Sequence, residues 1–209
     1  MQENHLKTSK TARYFTFGVL TSNTSEVWIC LHGYGQLASD LLEKLSFLKA
    51  DNRFIVAPEG LSKFYWKGFG GEPVASWMTK EMREHEISDY VNYLNELLEK
   101  LALTKNCKLV LYGFSQGVAT LGRWLLHGNV QPSKVIFNSG SLPTEIAELQ
   151  NFNQWSFPVF YCYGLSDRFL TEEVIEKQKM LLAKVSSYYK IVPFKGKHEV
   201  YKEILALNA

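Results

Sequence analysis

Short apolar runs alternate along this chain with longer amphipathic stretches, and this alternation constrains the fold more than any other feature. The apolar runs are rich in β-branched and aromatic residues, which is typical of buried strands. The predicted strands span residues 12–20, 26–31, 53–57, 108–112, 134–138, 158–163 and 188–193. We expect the first two of these strands to form a hairpin through residues 21–25.

The amphipathic stretches carry apolar residues three and four positions apart, as helices with one buried face do. The predicted helices span residues 38–49, 80–101, 116–126, 171–185 and 198–207, whereas residues 142–152 are ambiguous. Strands that alternate with helices form mainly parallel sheets, because parallel neighbours need a crossover connection. The sequence therefore predicts an α/β fold with a mainly parallel central sheet of about seven strands and helices on both faces.

Length and charge exclude several classes of protein. A chain of 209 residues and 24.0 kDa fits a single domain over residues 1–209 and can bury a core without disulfides or a structural metal. The formal net charge is +2, and the basic residues are scattered, so we do not expect a nucleic acid partner. Three cysteines, each in an apolar segment, indicate reduced thiols in the core.

Location and metal content are predicted from what the patterns lack. No apolar run approaches the roughly 20 residues that cross a bilayer, so we expect no integral membrane segment. Residues 1–13 carry charges and no apolar stretch of the kind found in secretory signals, so we expect a cytoplasmic protein. The histidines stand singly, which argues against a metal site. The sequence leaves the oligomeric state open.

The most specific motif is GFSQG at residues 113–117, directly after the strand-like run LVLY and at the start of a predicted helix. This context is the one that a nucleophile elbow requires, with the serine at the tip of a strained turn. Gly113 and Gly117 give the strand and the helix room to approach each other. The alternative is a serine that lies in a tight turn and caps the helix. The residues that could act with Ser115 decide between these readings.

A nucleophilic serine needs a general base and a third group that orients the base, and after such an elbow these follow in the order acid, then histidine. Only His198 fits this order, and it follows the last predicted strand. Asp167 comes just after the strand at 158–163 and is the best candidate for the acid. A surface helix cap is the alternative role for His198. The other acidic residues in this window are Glu145, Glu172, Glu173 and Glu176.

Acyl transfer also needs N–H donors for the oxyanion of the tetrahedral intermediate. The elbow supplies one from the residue after the serine, Gln116, and the loop after an early strand supplies another. That loop reads LHGYGQ at 31–36, where two glycines let the backbone turn its amides inward. We expect the second donor to be the amide of Tyr34. His32 is predicted to be structural.

These motifs together resemble one family. The segments LHGYG at 31–35, PEG at 58–60 and SW at 76–77 precede the elbow, and the 164–167 turn and His198 follow it. In this order they resemble the phospholipase/carboxylesterase family, which includes acyl-protein thioesterases and small bacterial carboxylesterases. The resemblance implies an α/β-hydrolase fold, a triad of Ser115, Asp167 and His198, and hydrolysis of esters or thioesters without a cofactor. It also implies that the Tyr34 and Gln116 amides hold the oxyanion.

The sequence departs from the family at Val118, where another glycine is usual, and at Glu199, where small residues are common. The stretch 60–79 also differs, because it concentrates aromatic residues around several glycines, and we expect it to be a flexible loop. Its residues Trp66, Phe69 and Trp77 are candidates for the wall of an apolar pocket that binds the acyl group of a small substrate. They are equally compatible with ordinary core packing.

A protein from another class is the main alternative to a hydrolase. It would be a catalytically silent ligand-binding protein that keeps the fold. Such proteins usually lack a reacting residue, whereas this chain keeps Ser115, Asp167 and His198. A peptidase with the same triad is the alternative among enzymes.

Overall fold

The computed structural model describes residues 1–104 and 106–207, and its centre is a β-sheet. The strands are β1 (Tyr14–Phe17), β2 (Glu26–Leu31), β3 (Arg53–Pro58), β4 (Ser62–Tyr65), β5 (Pro73–Ser76), β6 (Lys108–Phe114), β7 (Lys134–Asn138), β8 (Val159–Gly164) and β9 (Tyr189–Phe194). Seven of them form this sheet in the order β1-β3-β2-β6-β7-β8-β9, and the other two form a separate antiparallel hairpin, β4-β5. All pairings in the large sheet are parallel except β1 with β3. The predicted fold class is confirmed.

Four α-helices cover the two faces of the sheet. They are α1 (Ala38–Lys44), α2 (Arg83–Leu101), α3 (Gln116–His127) and α4 (Glu172–Val185). Alternate residues of β2 show the division, because Val27 and Ile29 belong to the core cluster that includes α2, α3 and α4, whereas Trp28 and Cys30 belong to the cluster that includes α1. None of the described helices is both long enough and apolar enough to span a membrane.

The predicted hairpin between the first two strands is wrong. β1 pairs with β3 instead, with Tyr14 opposite Pro58 and Phe17 opposite Ile55. Both edges of β2 are occupied by parallel neighbours, β3 and β6, so β1 can join the sheet only at its outer edge. Period-two patterning indicates a strand but carries no information about which neighbour it pairs with.

The last predicted helix, residues 198–207, is also wrong. Only a 3₁₀ turn forms there, at Lys202–Ala206, and the chain around His198 is irregular. The apolar spacing that suggested a helix still serves packing, because Ile204 and Leu207 are buried against the α1 face of the sheet. Residues 142–152, ambiguous in sequence, contain a 3₁₀ turn at Thr144–Glu148.

The stretch 60–79 is a hairpin and not a structureless loop. β4 and β5 pair antiparallel, with Ser62 opposite Ser76 and Tyr65 opposite Pro73. A bridge between Gln36 and Ala75 attaches β5 to the loop after β2. Each of these two strands has only four residues and lies next to glycine and aromatic clusters. The sequence pattern therefore did not reveal them as strands.

Glu59 holds the base of this hairpin to the sheet. Its side chain is fully buried after the end of β3, where it accepts hydrogen bonds from Arg13 Nε at 2.6 Å and from the Ala38 amide at 3.2 Å. Lys63 Nζ lies 2.9 Å from the same carboxylate. Burial by itself raises the pKa of Glu59, but the hydrogen bonds from Arg13, Lys63 and Ala38 outweigh it, so the pKa lies below its ordinary value.

We expect Glu59→Gln to lower the free energy of unfolding by about 2 kcal/mol at neutral pH, because hydrogen bonds to a charged acceptor are lost in a buried place. The difference from wild type should shrink as the pH falls below about 4.5, because the unfolded chain then takes up a proton that folded Glu59, with its lowered pKa, resists. Urea unfolding at pH 7 and about pH 3 measures both effects. A constant difference at the two pH values would contradict the assigned ion pairs.

Candidate active site

The serine of the GFSQG motif lies in a strained turn between β6 and α3. Ser115 has φ 54° and ψ −116°, a left-handed backbone that side chains rarely adopt. Its amide donates to the Asn138 carbonyl at 3.0 Å, which fixes the turn against β7. Strain of this kind persists only where the surrounding structure holds it.

Glycines make the turn possible by removing side chains from crowded positions. A Cβ on Gly117 would lie 2.3 Å from the Leu31 carbonyl oxygen, and one on Gly113 would lie 2.5 Å from the Gly117 oxygen. Gly140, after β7, has the same role and was not identified from the sequence, because its contact is long-range. A Cβ there would lie 2.2 Å from the Ser115 carbonyl oxygen.

Ser115, His198 and Asp167 form a chain of hydrogen bonds at the carboxyl ends of β6, β9 and β8. His198 Nε2 lies 2.9 Å from Ser115 Oγ, and His198 Nδ1 lies 2.7 Å from Asp167 Oδ2. A carboxylate only accepts hydrogen bonds, so Nδ1 carries the proton and Nε2 is left to accept from the serine hydroxyl. The buried Asp167 also accepts the Phe169 amide at 2.9 Å, which fixes its second oxygen.

Aromatic rings enclose the imidazole of His198. The Phe169 ring is 4.9 Å away, centroid to centroid, with its plane at 72° to the imidazole, and the Phe114 ring is 5.2 Å away. The Phe169 ring is half-exposed and has the Arg168 guanidinium over it. These contacts could not be predicted from the sequence, because Phe169 follows Asp167 in a turn without periodic pattern.

Asn138 links the serine turn to the histidine segment. Its backbone carbonyl accepts the Ser115 amide. Its buried side chain accepts the Tyr201 amide at 2.7 Å and donates to the Glu199 carbonyl at 3.1 Å. Tyr112 donates its hydroxyl to the same amide oxygen at 2.8 Å. Asn138 was not identified from the sequence, where it looks like the end of an ordinary strand.

The amides of Tyr34 and Gln116 are available for a ligand. Neither has a hydrogen-bond acceptor within residues 1–104 and 106–207. Gln116 is the first residue of α3, where amides have no partner in the helix. Its side chain is held by the segment after β5, donating to the Met78 carbonyl at 2.8 Å and accepting the Trp77 amide at 3.1 Å.

His32 is a structural residue, as expected from the sequence. Its Nδ1 is 2.8 Å from the Gly33 carbonyl oxygen, and its Nε2 accepts the Gly60 amide at 2.9 Å, which defines the neutral tautomer with the proton on Nδ1. Burial lowers the pKa of His32 to about 4. A second proton on Nε2 would break the bond to Gly60.

An open cavity of about 660 Å³ lies beside Ser115 and His198. It runs between the end of α1 and the segment after His198. Its apolar lining is Tyr34, Phe47, Phe114 and Val200, and charged residues on its walls are Glu43, Lys44, Glu199 and Lys202. The cavity is therefore mixed in polarity.

The three candidate pocket aromatics lie elsewhere. Among the described residues, those that line the cavity do not include Trp66, Phe69 or Trp77. Trp77 is only 1% exposed, stacks on His32 at 5.0 Å and donates Nε1 to the His32 carbonyl at 2.9 Å, so it is a core residue. Phe69 is 98% exposed at the hairpin tip, and Trp66 is 43% exposed beside Tyr34. The described residues contain no cluster of three or more side chains suited to a metal ion.

Gly117→Ala should destabilise the protein by about 2 kcal/mol or more and abolish the alignment of Ser115, because its Cβ would collide with backbone that cannot yield cheaply. Gly70→Ala is the matched control, since nothing lies within 4 Å of a Cβ there. Urea unfolding compares the two variants with wild type. Equal stability of both variants would contradict the close approach of α3 to β2.

The depressed pKa of His32 predicts a pH dependence of stability. The unfolded chain takes up a proton near pH 6.5, whereas folded His32 resists it down to about pH 4. The contribution of His32 to the free energy of unfolding is therefore largest above pH 6.5. It falls as the pH decreases, by up to about 1.4 kcal/mol per pH unit. His32→Gln should remove that part of the slope in urea unfolding between pH 7 and pH 4.5. An unchanged slope would show that other groups cause it.

Several solved structures share this fold with the chain. The Zea mays acyl-protein thioesterase 2 structure is 20% identical with a TM-score of 0.70, over 94% of this chain and 95% of that one. A phospholipase/carboxylesterase from Dyadobacter fermentans is 18% identical with a TM-score of 0.67, over 92% of each chain. The Bacillus cereus carboxylesterase is 17% identical with a TM-score of 0.65, over 91% of this chain and 88% of that one.

Identities this low establish likeness of fold alone, and no curated protein matches the sequence significantly. The sequence profile of the phospholipase/carboxylesterase family, however, matches residues 20–207. That range includes every strand of the large sheet except β1. By this match, the chain belongs to the phospholipase/carboxylesterase family of α/β-hydrolases.

Proposed function

We propose that this protein is a serine hydrolase that cleaves carboxylic esters or thioesters through an acyl-enzyme intermediate. The observation that carries the proposal is the continuous hydrogen-bonded chain from Ser115 through His198 to Asp167. Family membership supports hydrolase activity, and the geometry supports Ser115 as the nucleophile. A serine without an adjacent base would be a weak nucleophile.

In the first step, Ser115 Oγ attacks the carbonyl carbon while His198 Nε2 takes the hydroxyl proton. The tetrahedral intermediate then collapses, and the new imidazolium gives that proton to the departing alcohol or thiol. In the second step, a water molecule attacks the acyl-enzyme with His198 as base again, which releases the carboxylic acid and restores the Ser115 hydroxyl. Asp167 keeps the proton on Nδ1 throughout and stabilises the imidazolium.

We propose that the oxyanion accepts hydrogen bonds from the amides of Tyr34 and Gln116. Both amides lack an internal acceptor in the described part of the chain, and Tyr34 shares the cavity with Ser115. The Gln116 amide also lies at the start of α3, where the helix dipole favours negative charge. Donors fixed in advance stabilise the transition state without reorganisation.

The substrate is proposed to be a small ester or thioester whose apolar part contacts Phe47, Phe114 and Val200. These are the apolar side chains of the cavity that extends from Ser115 towards the end of α1. The exposed charged side chains on the same walls would contact polar groups of the substrate; they are Glu43, Lys44, Glu199 and Lys202. A cytoplasmic location is part of this proposal and agrees with three free cysteines.

A fluorophosphonate probe should label Ser115, as mapped by mass spectrometry of the adduct. Ser115→Ala should lose labelling and lower turnover of p-nitrophenyl esters by on the order of 10⁴-fold or more, because the nucleophile is absent. Turnover of a matched thioester and amide then ranks the leaving groups. The control is Ser133→Ala, an exposed serine on the turn before β7, which should keep full activity.

Absence of labelling in wild type, together with intact esters and thioesters, would overturn the proposal. In that case the fold would serve ligand binding without chemistry. Labelling at a serine other than Ser115 would overturn the assigned nucleophile and leave the hydrolase activity standing.

A further inference from the structure

The β4-β5 hairpin places two aromatic rings against the loop that carries the Tyr34 amide. Phe64 stacks on Tyr34 with 5.1 Å between ring centroids, and the Trp66 ring stands edge-on to Tyr34 at 6.2 Å. Phe64 and Trp66 are themselves 6.3 Å apart. We call Tyr34, Phe64 and Trp66 the aromatic triangle. Tyr65, between the two hairpin members, makes no ring contact within the described residues and is 53% exposed.

Trp66 also covers the backbone next to Tyr34. Gly35 has φ +69°, and a Cβ there would lie 2.7 Å from Cζ3 of the Trp66 ring. The indole therefore lies directly on the Gly35 backbone. Only glycine combines this φ with so close an approach.

Hydrogen bonds from β5 hold the same loop on its other side. The Gly35 amide donates to the Ala75 carbonyl at 3.0 Å, and the Ala75 amide donates to the Gln36 carbonyl at 3.1 Å. The Gly33 amide donates to Gln36 Oε1 at 2.9 Å. Tyr34 thus lies between two glycines with restrained backbones. Gln36 holds Gly33, and the hairpin holds Gly35.

We infer that Trp66 is a positioning residue for the oxyanion donor of Tyr34, with Phe64 in support. This inference rests on the proposed function. Trp66 does not line the described cavity, so it acts through the loop and not by touching substrate. Its contacts with the Gly35 backbone and with the Tyr34 ring hold Tyr34 in place, and Tyr34 in turn orients the Gly33–Tyr34 peptide unit, which carries the Tyr34 N–H.

A small error in that direction matters because an oxyanion donor works only when it points at the oxygen of the transition state. Loss of one such donor lowers turnover by roughly 10²–10³-fold in serine hydrolases. The ground-state carbonyl makes weaker use of the donor, so substrate binding is affected less. Trp66 is 43% exposed, so its truncation leaves no large core cavity.

The test measures kcat and KM of Trp66→Ala on a p-nitrophenyl ester, together with the affinity of an aryl trifluoromethyl ketone. The Ser115 oxygen adds to the carbonyl carbon of this ketone while the hydroxyl proton passes to His198. The ketone oxygen becomes an oxyanion that accepts hydrogen bonds from the same two amides. We expect kcat to fall about tenfold or more and KM to stay within about threefold of wild type. Ketone affinity should fall in proportion to kcat, and Trp66→Phe should restore most of both.

Tyr65→Ala is the matched control, since it truncates the neighbouring aromatic residue and should behave like wild type. The inference is overturned if Trp66→Ala keeps wild-type kcat, if KM or ester chain-length preference changes instead, or if the variant unfolds in urea much earlier than wild type. An equal effect of Tyr65→Ala would overturn it too. Failure of wild type to react with the fluorophosphonate probe would overturn the proposed function itself, which separates the two failures.

Discussion

The close approach of α3 to the ends of β2 and β6 is the constraint on which the site depends. Gly117 lets the first turn of the helix lie on the Leu31 carbonyl, and this contact sets where Ser115 points. The same contact brings the Gln116 amide towards the loop after β2, which carries the Tyr34 amide. The unfavourable φ of Ser115 is tolerated because Asn138 and the sheet hold both ends of the turn. The close backbone packing at Gly117 therefore determines where the reacting side chain of Ser115 lies.

Local pattern was enough to predict the parallel sheet and to identify the residues that meet at Ser115. Parallel strands end at one edge, so Asp167 after β8 and His198 after β9 could be expected to lie together. Pairing partners were not predictable in this way. The edge position of β1 depends on which neighbours occupy both sides of β2, and periodicity within a strand does not contain that information.

Long-range contacts account for the rest of what the sequence did not reveal. The apolar spacing after His198 looked helical, yet the Glu199 carbonyl and the Tyr201 amide bond to the Asn138 side chain and not within a helix. Trp77 and Trp66 looked alike in a glycine-rich stretch, but one is a core residue against His32 and the other covers Gly35. Composition cannot separate these roles, because the difference arises from the fold around each ring.

Asn138 gives the histidine an anchor inside the sheet. Its side chain bonds to the backbone of Glu199 and Tyr201, on the chain just past His198, while its own backbone accepts the Ser115 amide. The distance between base and nucleophile is thereby set by one residue of β7 and needs no regular helix after the histidine. Exposed positions beyond Tyr201, such as Glu203 and Leu205, can consequently vary in sequence without disturbing the alignment of the imidazole, whereas Ile204 and Leu207 are held by the core.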